Sequence, residues 1–217
     1  MTTARSLVLL MAAGLLMAAP VQAQVALLFD NGPMDYANGW EISWWTLADD
    51  FELPFNAEAT RVTIGMIDTT CTFPANWDGV LRWWILDDAA GLPGGTVIAT
   101  GISSEVSFFI SQDDCPSGWA FYDQNFSLGQ QVNLEAGVRY WLAIHMGGDW
   151  SERRDIYWAT TATGAFNPSA YRLQGVDPWT YTPLLQHSFM ILAYGDDHGI
   201  FVDEFESGDE SIWSGFV

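Results

Sequence analysis

The chain contains no lysine. Its seven cationic residues are all arginine, set against 27 aspartates and glutamates, which leaves a formal net charge of −20. Such a surface repels phosphate backbones and anionic headgroups, so nucleic-acid binding and attachment to a membrane surface are set aside. Neutral glycans, divalent cations and basic partners remain compatible. Cysteine is equally scarce: Cys71 and Cys115 are the only two. Two cysteines cannot build a disulfide scaffold, but in an oxidising compartment an even pair reads as one disulfide, and nothing nearby resembles a base that would activate a thiol. Closing a loop of about 45 residues stabilises by about 4 kcal/mol through lost chain entropy. The three histidines, His145, His187 and His198, lie far apart without metal-ligand spacing. No Gly-x-Ser-x-Gly elbow, His-Glu-x-x-His helix or phosphate loop occurs. Helical periodicity is missing from everything after the first 23 residues.

Those first residues set an address. Residues 1–23 carry one charge, Arg5, then an uncharged apolar run over 7–19, and end Pro20-Val21-Gln22-Ala23. A run this short cannot cross about 30 Å of hydrocarbon, and the small residues at its end suit signal peptidase. The segment reads as a secretory signal helix, with the mature chain starting at Gln24, no membrane span in it, and a location outside the cytoplasm or at the cell surface. Residues 24–194 then have the size of one fully cored domain. Residues 195–217 form an acidic tail: Asp196, Asp197, Asp203, Glu204, Glu206, Asp209 and Glu210 are interrupted by Phe201 and Phe205 and followed by Trp213.

Within 24–194, short β-branched and aromatic stretches recur between Gly, Pro, Asn and Asp. Val62, Ile64 and Met66 alternate with Arg61, Thr63 and Gly65, and Leu81, Trp83 and Ile85 alternate with Arg82, Trp84 and Leu86. Strands are expected over 26–29, 40–46, 60–67, 80–86, 95–100, 105–111, 119–126, 138–146, 156–160, 170–174 and 188–194. This pattern predicts an all-β fold, an antiparallel two-sheet sandwich of jelly-roll type.

An ordered series of short motifs supports that expectation: Phe29-Asp30-Asn31-Gly32-Pro33, Ala48-Asp49-Asp50-Phe51, Trp84-Ile85-Leu86-Asp87-Asp88 leading to Gly91-Leu92-Pro93-Gly94, and Leu134-Glu135-Ala136-Gly137 with Tyr140-Trp141-Leu142. The chain thereby resembles a broad group of secreted bacterial β-sandwich domains of uncharacterised function. The segment Phe201-Val202-Asp203-Glu204-Phe205-Glu206-Ser207-Gly208-Asp209 is similar to a short acidic C-terminal element on other exported bacterial proteins. The resemblance implies a fold, a compartment and a sorting or attachment role for the tail, and supplies no activity.

Twelve tryptophans are the strongest chemical signal. Their flat apolar faces stack on sugar rings while neighbouring Asp, Asn and Arg groups bond hydroxyls. Three platforms are candidates: Trp44-Trp45 with Trp40; the loop 147–158 with Trp150, Arg153 and Trp158; and Trp179 with Tyr181. Trp150, Trp158, Trp179, Tyr181 and Arg153 are the candidate ligand-binding residues. Adjacent tryptophans on a strand face opposite ways, so part of the set belongs to the core. Among the acid pairs, Asp49-Asp50 is the one that turn chemistry explains least, and it is the candidate for a structural calcium ion; no other cofactor is expected. The glutamates Glu41, Glu52, Glu105 and Glu152 form no hydrolase motif. The expected function is a non-catalytic extracellular binding module with a glycan as partner. The alternatives are a structural cell-surface protein and, distantly, a glycoside hydrolase. The oligomeric state is left open.

Overall fold

The structure, a computed structural model, describes residues 25–103, 106–115, 118–162, 168–173, 178–182 and 185–194. The expected signal segment 1–23, the acidic tail 195–217 and Glu105 lie outside the described residues. Within them the chain is all β, with no α-helix, and no helix long and apolar enough to cross a membrane.

One antiparallel sheet is built around β4 (Ala57–Asp68). Along one edge, β4 pairs with β8 (Trp119–Leu134), and β7 (Val106–Asp114) pairs outside β8. Two other strands also pair with β4: β13 (Phe189–Tyr194) meets residues 61–64, and β10 (Ile156–Thr161) meets 66–68. Then β1 (Val25–Asp30) extends β13 and β2 (Met34–Glu41) extends β10. At the junction the Gly65 N–H donates to the Ser188 carbonyl at 3.0 Å. A Cβ on Gly65 would lie 2.2 Å from Met34 Cγ, so this crossing requires glycine. The second antiparallel sheet has the order β12 (Thr180–Tyr181), β11 (Ala170–Leu173), β3 (Trp45–Glu52), β9 (Arg139–Met146), β5 (Leu81–Ala89), β6 (Leu92–Ser103).

Strand alternation sorts side chains between the inter-sheet core and the outer faces. Val62, Ile64 and Met66 from β4 and Leu81, Trp83 and Ile85 from β5 are wholly buried in one cluster with Tyr140, Leu142 and Ile144 of β9. The intervening residues Trp141 and Ala143 of β9 turn the other way and join Ala48, Leu86 and Ala170 in a second cluster on the outer face of the second sheet. The Cys71–Cys115 disulfide is formed, with Cα atoms 5.7 Å apart. It ties the loop after β4 to the end of β7.

Two expectations are corrected. The stretch 40–46 is not one strand: β2 ends at Glu41 and β3 starts at Trp45, with a turn between them. The reason is local, because the Glu41 carboxylate accepts the Ser43 and Trp44 N–H groups and folds the chain back on itself. The strand expected over 119–126 continues to Leu134, passing through an irregular register opposite Ala59 and Arg61.

Candidate functional site

The β2–β3 turn builds an open cleft of about 310 Å³ lined by Glu41, Trp44, Trp45 and Arg153. Glu41 is only 5% exposed. Its Oε1 accepts from Ser43 N at 3.1 Å and from the Ser43 hydroxyl, and its Oε2 accepts from Trp44 N at 2.7 Å. Burial raises the Glu41 pKa above the ordinary carboxylate value; the Ser43 and Trp44 bonds and the Arg153 charge offset only part of that. Ser43 Oγ also accepts the Arg154 N–H at 2.7 Å, which pins the loop 147–155 against the turn.

That loop supplies the opposite charge. Arg153 Nε lies 3.0 Å from Asp155 Oδ1, and its Nη2 donates to the Tyr157 hydroxyl at 2.9 Å. Tyr157 pairs with Glu41 across β10 and β2, so the register itself sets cation and carboxylate on one cleft. The aromatic wall is fixed from behind. Trp45 meets Tyr171 edge-on at 5.2 Å, and Tyr171 stacks on Trp40 at 5.4 Å. The cleft therefore offers indole surface, guanidinium donors and a carboxylate acceptor side by side.

A second aromatic group lies on the outer face of the second sheet. Trp84, Trp150 and Trp179 are each half-buried there, Trp84 and Trp179 against the Trp141 cluster. Trp150 stacks on His145 at 3.7 Å and lies 6.3 Å from Trp84. Arg172 Cζ lies 4.4 Å from the Trp179 ring centre and 5.9 Å from that of Trp84. Tyr181 is 42% exposed and donates its hydroxyl to the Gly91 carbonyl at 2.9 Å.

The expected site residues thus separate. Arg153 joins the Trp44-Trp45 platform in the cleft, while Trp150, Trp179 and Tyr181 belong to the outer face. Trp158 is corrected: it is wholly buried, its Nε1 donates to the Ser188 carbonyl at 2.8 Å, and His187 stacks on it at 4.7 Å. It offers no face to a ligand, because β10 begins at Ile156 and carries it into the core. Asp49 and Asp50 are not brought together either. As consecutive residues of β3 they face opposite ways. Asp49 accepts from Asn31 Nδ2 at 3.4 Å and from the His187 N–H, whereas Asp50 meets Arg139 Nε at 3.5 Å. Among the described residues no group of three or more His, Cys, Asp or Glu side chains is placed to hold a metal.

Glu41 is the cleft residue for which sequence reasoning found no role. Its signal was the spacing Glu41-x-Ser43-Trp44, a side chain able to cap its own turn. No protein-family model matches the chain, and no curated protein matches it.

Proposed function

We propose that the protein is an exported, non-catalytic binding module that holds a neutral glycan in the cleft between Trp44, Trp45, Glu41 and Arg153. One observation carries the reading: two adjoining tryptophans share an open cleft with one cation and one carboxylate. Sugar rings present apolar C–H faces to indoles and hydroxyls to both charge types. A volume of about 310 Å³ is at the low end for small-molecule sites, which suits one or two sugar units. The reading takes the sandwich to be of jelly-roll type and residues 1–23 to be a cleaved export signal. The disulfide supports that compartment. Among the described residues Glu41 is the one carboxylate lining the cleft, whereas glycoside hydrolysis needs two, so binding is favoured over hydrolysis.

A structural surface protein is the second reading, favoured by the edge strands. On β6, Val97 and Ile102 are 50% and 58% exposed, and on β7, Phe109 and Ile110 are 64% and 60% exposed. Apolar edges of this kind invite pairing with another chain.

Tryptophan emission titrated with neutral polysaccharides, with and without calcium, separates the two. The binding reading expects a saturable shift that Trp44→Ala or Arg153→Gln abolishes. A flat response from every polysaccharide, together with concentration-dependent self-association, would replace it with the structural reading.

A further inference from the structure

In a chain so rich in acid, every arginine should find a carboxylate. Arg139 meets Asp50, Arg153 meets Asp155, and Arg154 meets Asp78 and Glu152. Arg82 and Arg172 form no ion pair among the described residues, and the Nε of each is buried without a hydrogen-bond partner. Both are on the outer face of the second sheet, in one row across its strands. Arg82 pairs with His145 between β5 and β9, and Arg172 pairs with Thr46 between β11 and β3. Leu47 pairs with Ile144, which sets Thr46 beside His145. The row therefore reads Arg82, His145, Thr46, Arg172. The two central residues are wholly buried, and His145 Nε2 and Thr46 Oγ1 also find no hydrogen-bond partner among the described residues.

The next row explains how Arg172 comes to lie where it does. It reads Trp84, Ala143, Ala48, Ala170. The small alanines leave a trough, and the Arg172 side chain reaches from β11 across it, so that its guanidinium comes near Trp84 of β5 as well as Trp179. Ring faces attract a guanidinium but accept none of its hydrogen bonds. The planar donor fork is left with its acceptors unsupplied by the described residues, flanked by half-buried indoles.

We infer that this face is a second binding site, separate from the Glu41 cleft, which takes the carboxylate of an acidic sugar on Arg172 and rests its ring against Trp84 and Trp179. A carboxylate matches the guanidinium fork in two parallel hydrogen bonds. Its single charge meets less repulsion from a body of net charge −20 than a doubly charged sulfate or phosphate would. The sugar ring supplies the apolar face that the indoles lack. Arg82 adds a second positive charge at the other end of the row. Burial lowers the Arg172 pKa, consistent with a desolvated cation that an anion would stabilise.

The test is calorimetric titration of the full chain with glucuronate, glucose and sulfate, with tryptophan emission recorded alongside. Glucuronate is expected to bind at least tenfold more tightly than glucose or sulfate. Arg172→Gln should weaken glucuronate at least tenfold, and Arg172→Lys, which keeps the charge but loses the fork, should weaken it severalfold. Trp44→Ala should leave glucuronate binding unchanged, so failure of this site and failure of the cleft are read separately. Unfolding midpoints of the Arg172 variants establish that they are folded. Equal binding of glucuronate and glucose, equal binding of sulfate, or indifference to Arg172→Lys and Arg172→Gln would overturn the inference. A response to a peptide of residues 195–210 without one to glucuronate would also overturn it, in favour of the chain's own acidic tail.

Discussion

His145 lies flat against Trp150, with ring centres 3.7 Å apart and 14° between the planes. Its Nδ1 is 3.3 Å from the Trp45 carbonyl, a geometry in which the neutral imidazole donates. One buried side chain thus joins the loop 147–155 to the strand that opens the cleft. The stack also explains why an otherwise polar loop stays on the sheet: its one indole is held by an apolar contact about as close as ring packing allows.

Burial pushes the His145 pKa down from the ordinary 6.5 to about 4, and the nearby Arg82 adds to this, while the Trp45 carbonyl and Asp78 oppose it. A depressed histidine contributes stability that is fully present above the unfolded pKa and lost as pH falls toward the folded one. The loss is about 1.4 kcal/mol per pH unit between 6.5 and 4. Urea unfolding of wild type and His145→Gln at pH 7, 5.5 and 4.5 should therefore converge as pH falls, with the variant less stable only at neutral pH. Parallel pH profiles for the two proteins would show that His145 does not resist protonation.

Asp49 sits inside the sandwich, wholly buried, where the sheets would otherwise meet through apolar side chains. Burial, with Asp50 adjacent, raises its pKa well above the ordinary value against the pull of the His187 and Asp50 N–H groups. A raised carboxylate contributes stability present below its unfolded pKa and lost as pH rises, the opposite sign to His145. Removing it leaves the His187 N–H without its acceptor, while the Asn31 amide keeps the Gln186 Oε1 and the His187 carbonyl. Asp49→Ala should cost about 2 kcal/mol at pH 4 and less at pH 7, measured by chemical denaturation, with glycan affinity unchanged because Asp49 does not line the cleft. A cost at pH 4 below about 0.5 kcal/mol, the scatter of ordinary surface changes, would show the carboxylate to be dispensable.

Period-two alternation in β4 and β5 sorted their side chains into two sets, one of which lies in the inter-sheet core, and the two cysteines were enough to locate the disulfide. The cleft was half legible. Trp44, Trp45 and Arg153 stand out as residue types, but Glu41 acts through a turn that propensity alone reads as the middle of a strand. Trp158 misleads for the complementary reason: it follows a charged loop, and two residues after Ile156 the chain is already in the core. Arg172 could not be read at all. Its contact with Trp84 depends on β11, β3, β9 and β5 lying in that order, and three alanines that look ordinary in sequence become a trough only when their strands pair. Side-chain chemistry is local, whereas strand order is set by pairings far apart in the chain.

Arg154 fastens the loop that carries Arg153. Its N–H donates to Ser43 Oγ, its Nη1 donates to the Asn76 carbonyl at 3.0 Å, and its Nη2 reaches Asp78 at 3.3 Å and Glu152. The guanidinium is largely shielded, at 18% exposure, so these bonds are less screened than surface pairs. Arg154→Ala should lower stability by about 2 kcal/mol and weaken glycan binding in the cleft severalfold, although Arg154 does not line it. Calorimetry on the folded variant checks this. Unchanged affinity would show that Arg153 is positioned without its neighbour.

Asp68 and the disulfide order the same loop, and their effects should therefore not add. Asp68 accepts from Thr70 N at 2.9 Å, Thr70 Oγ1 at 2.7 Å, Thr72 N at 2.7 Å, Phe73 N at 2.8 Å and Asn76 Nδ2 at 3.3 Å. These bonds wrap the chain around Cys71 and hold it 5.7 Å, Cα to Cα, from Cys115. Burial alone would raise the Asp68 pKa, but the bonds from Thr70, Phe73 and Thr72 together bring it below the ordinary value. Its stabilisation is therefore present at neutral pH and lost as pH falls through the lowered pKa. Asp68→Ala should cost about 3 kcal/mol, and replacing both cysteines by serine about 4 kcal/mol from the loop that is no longer closed. Once either constraint is gone the loop is already free to move, so less is left for the other to hold. Unfolding of the two variants and their combination should give a total at least 1 kcal/mol short of the sum. Agreement with the sum to within about 0.5 kcal/mol, the range for independent sites, would show that Asp68 shapes its turn without presenting Cys71 to its partner.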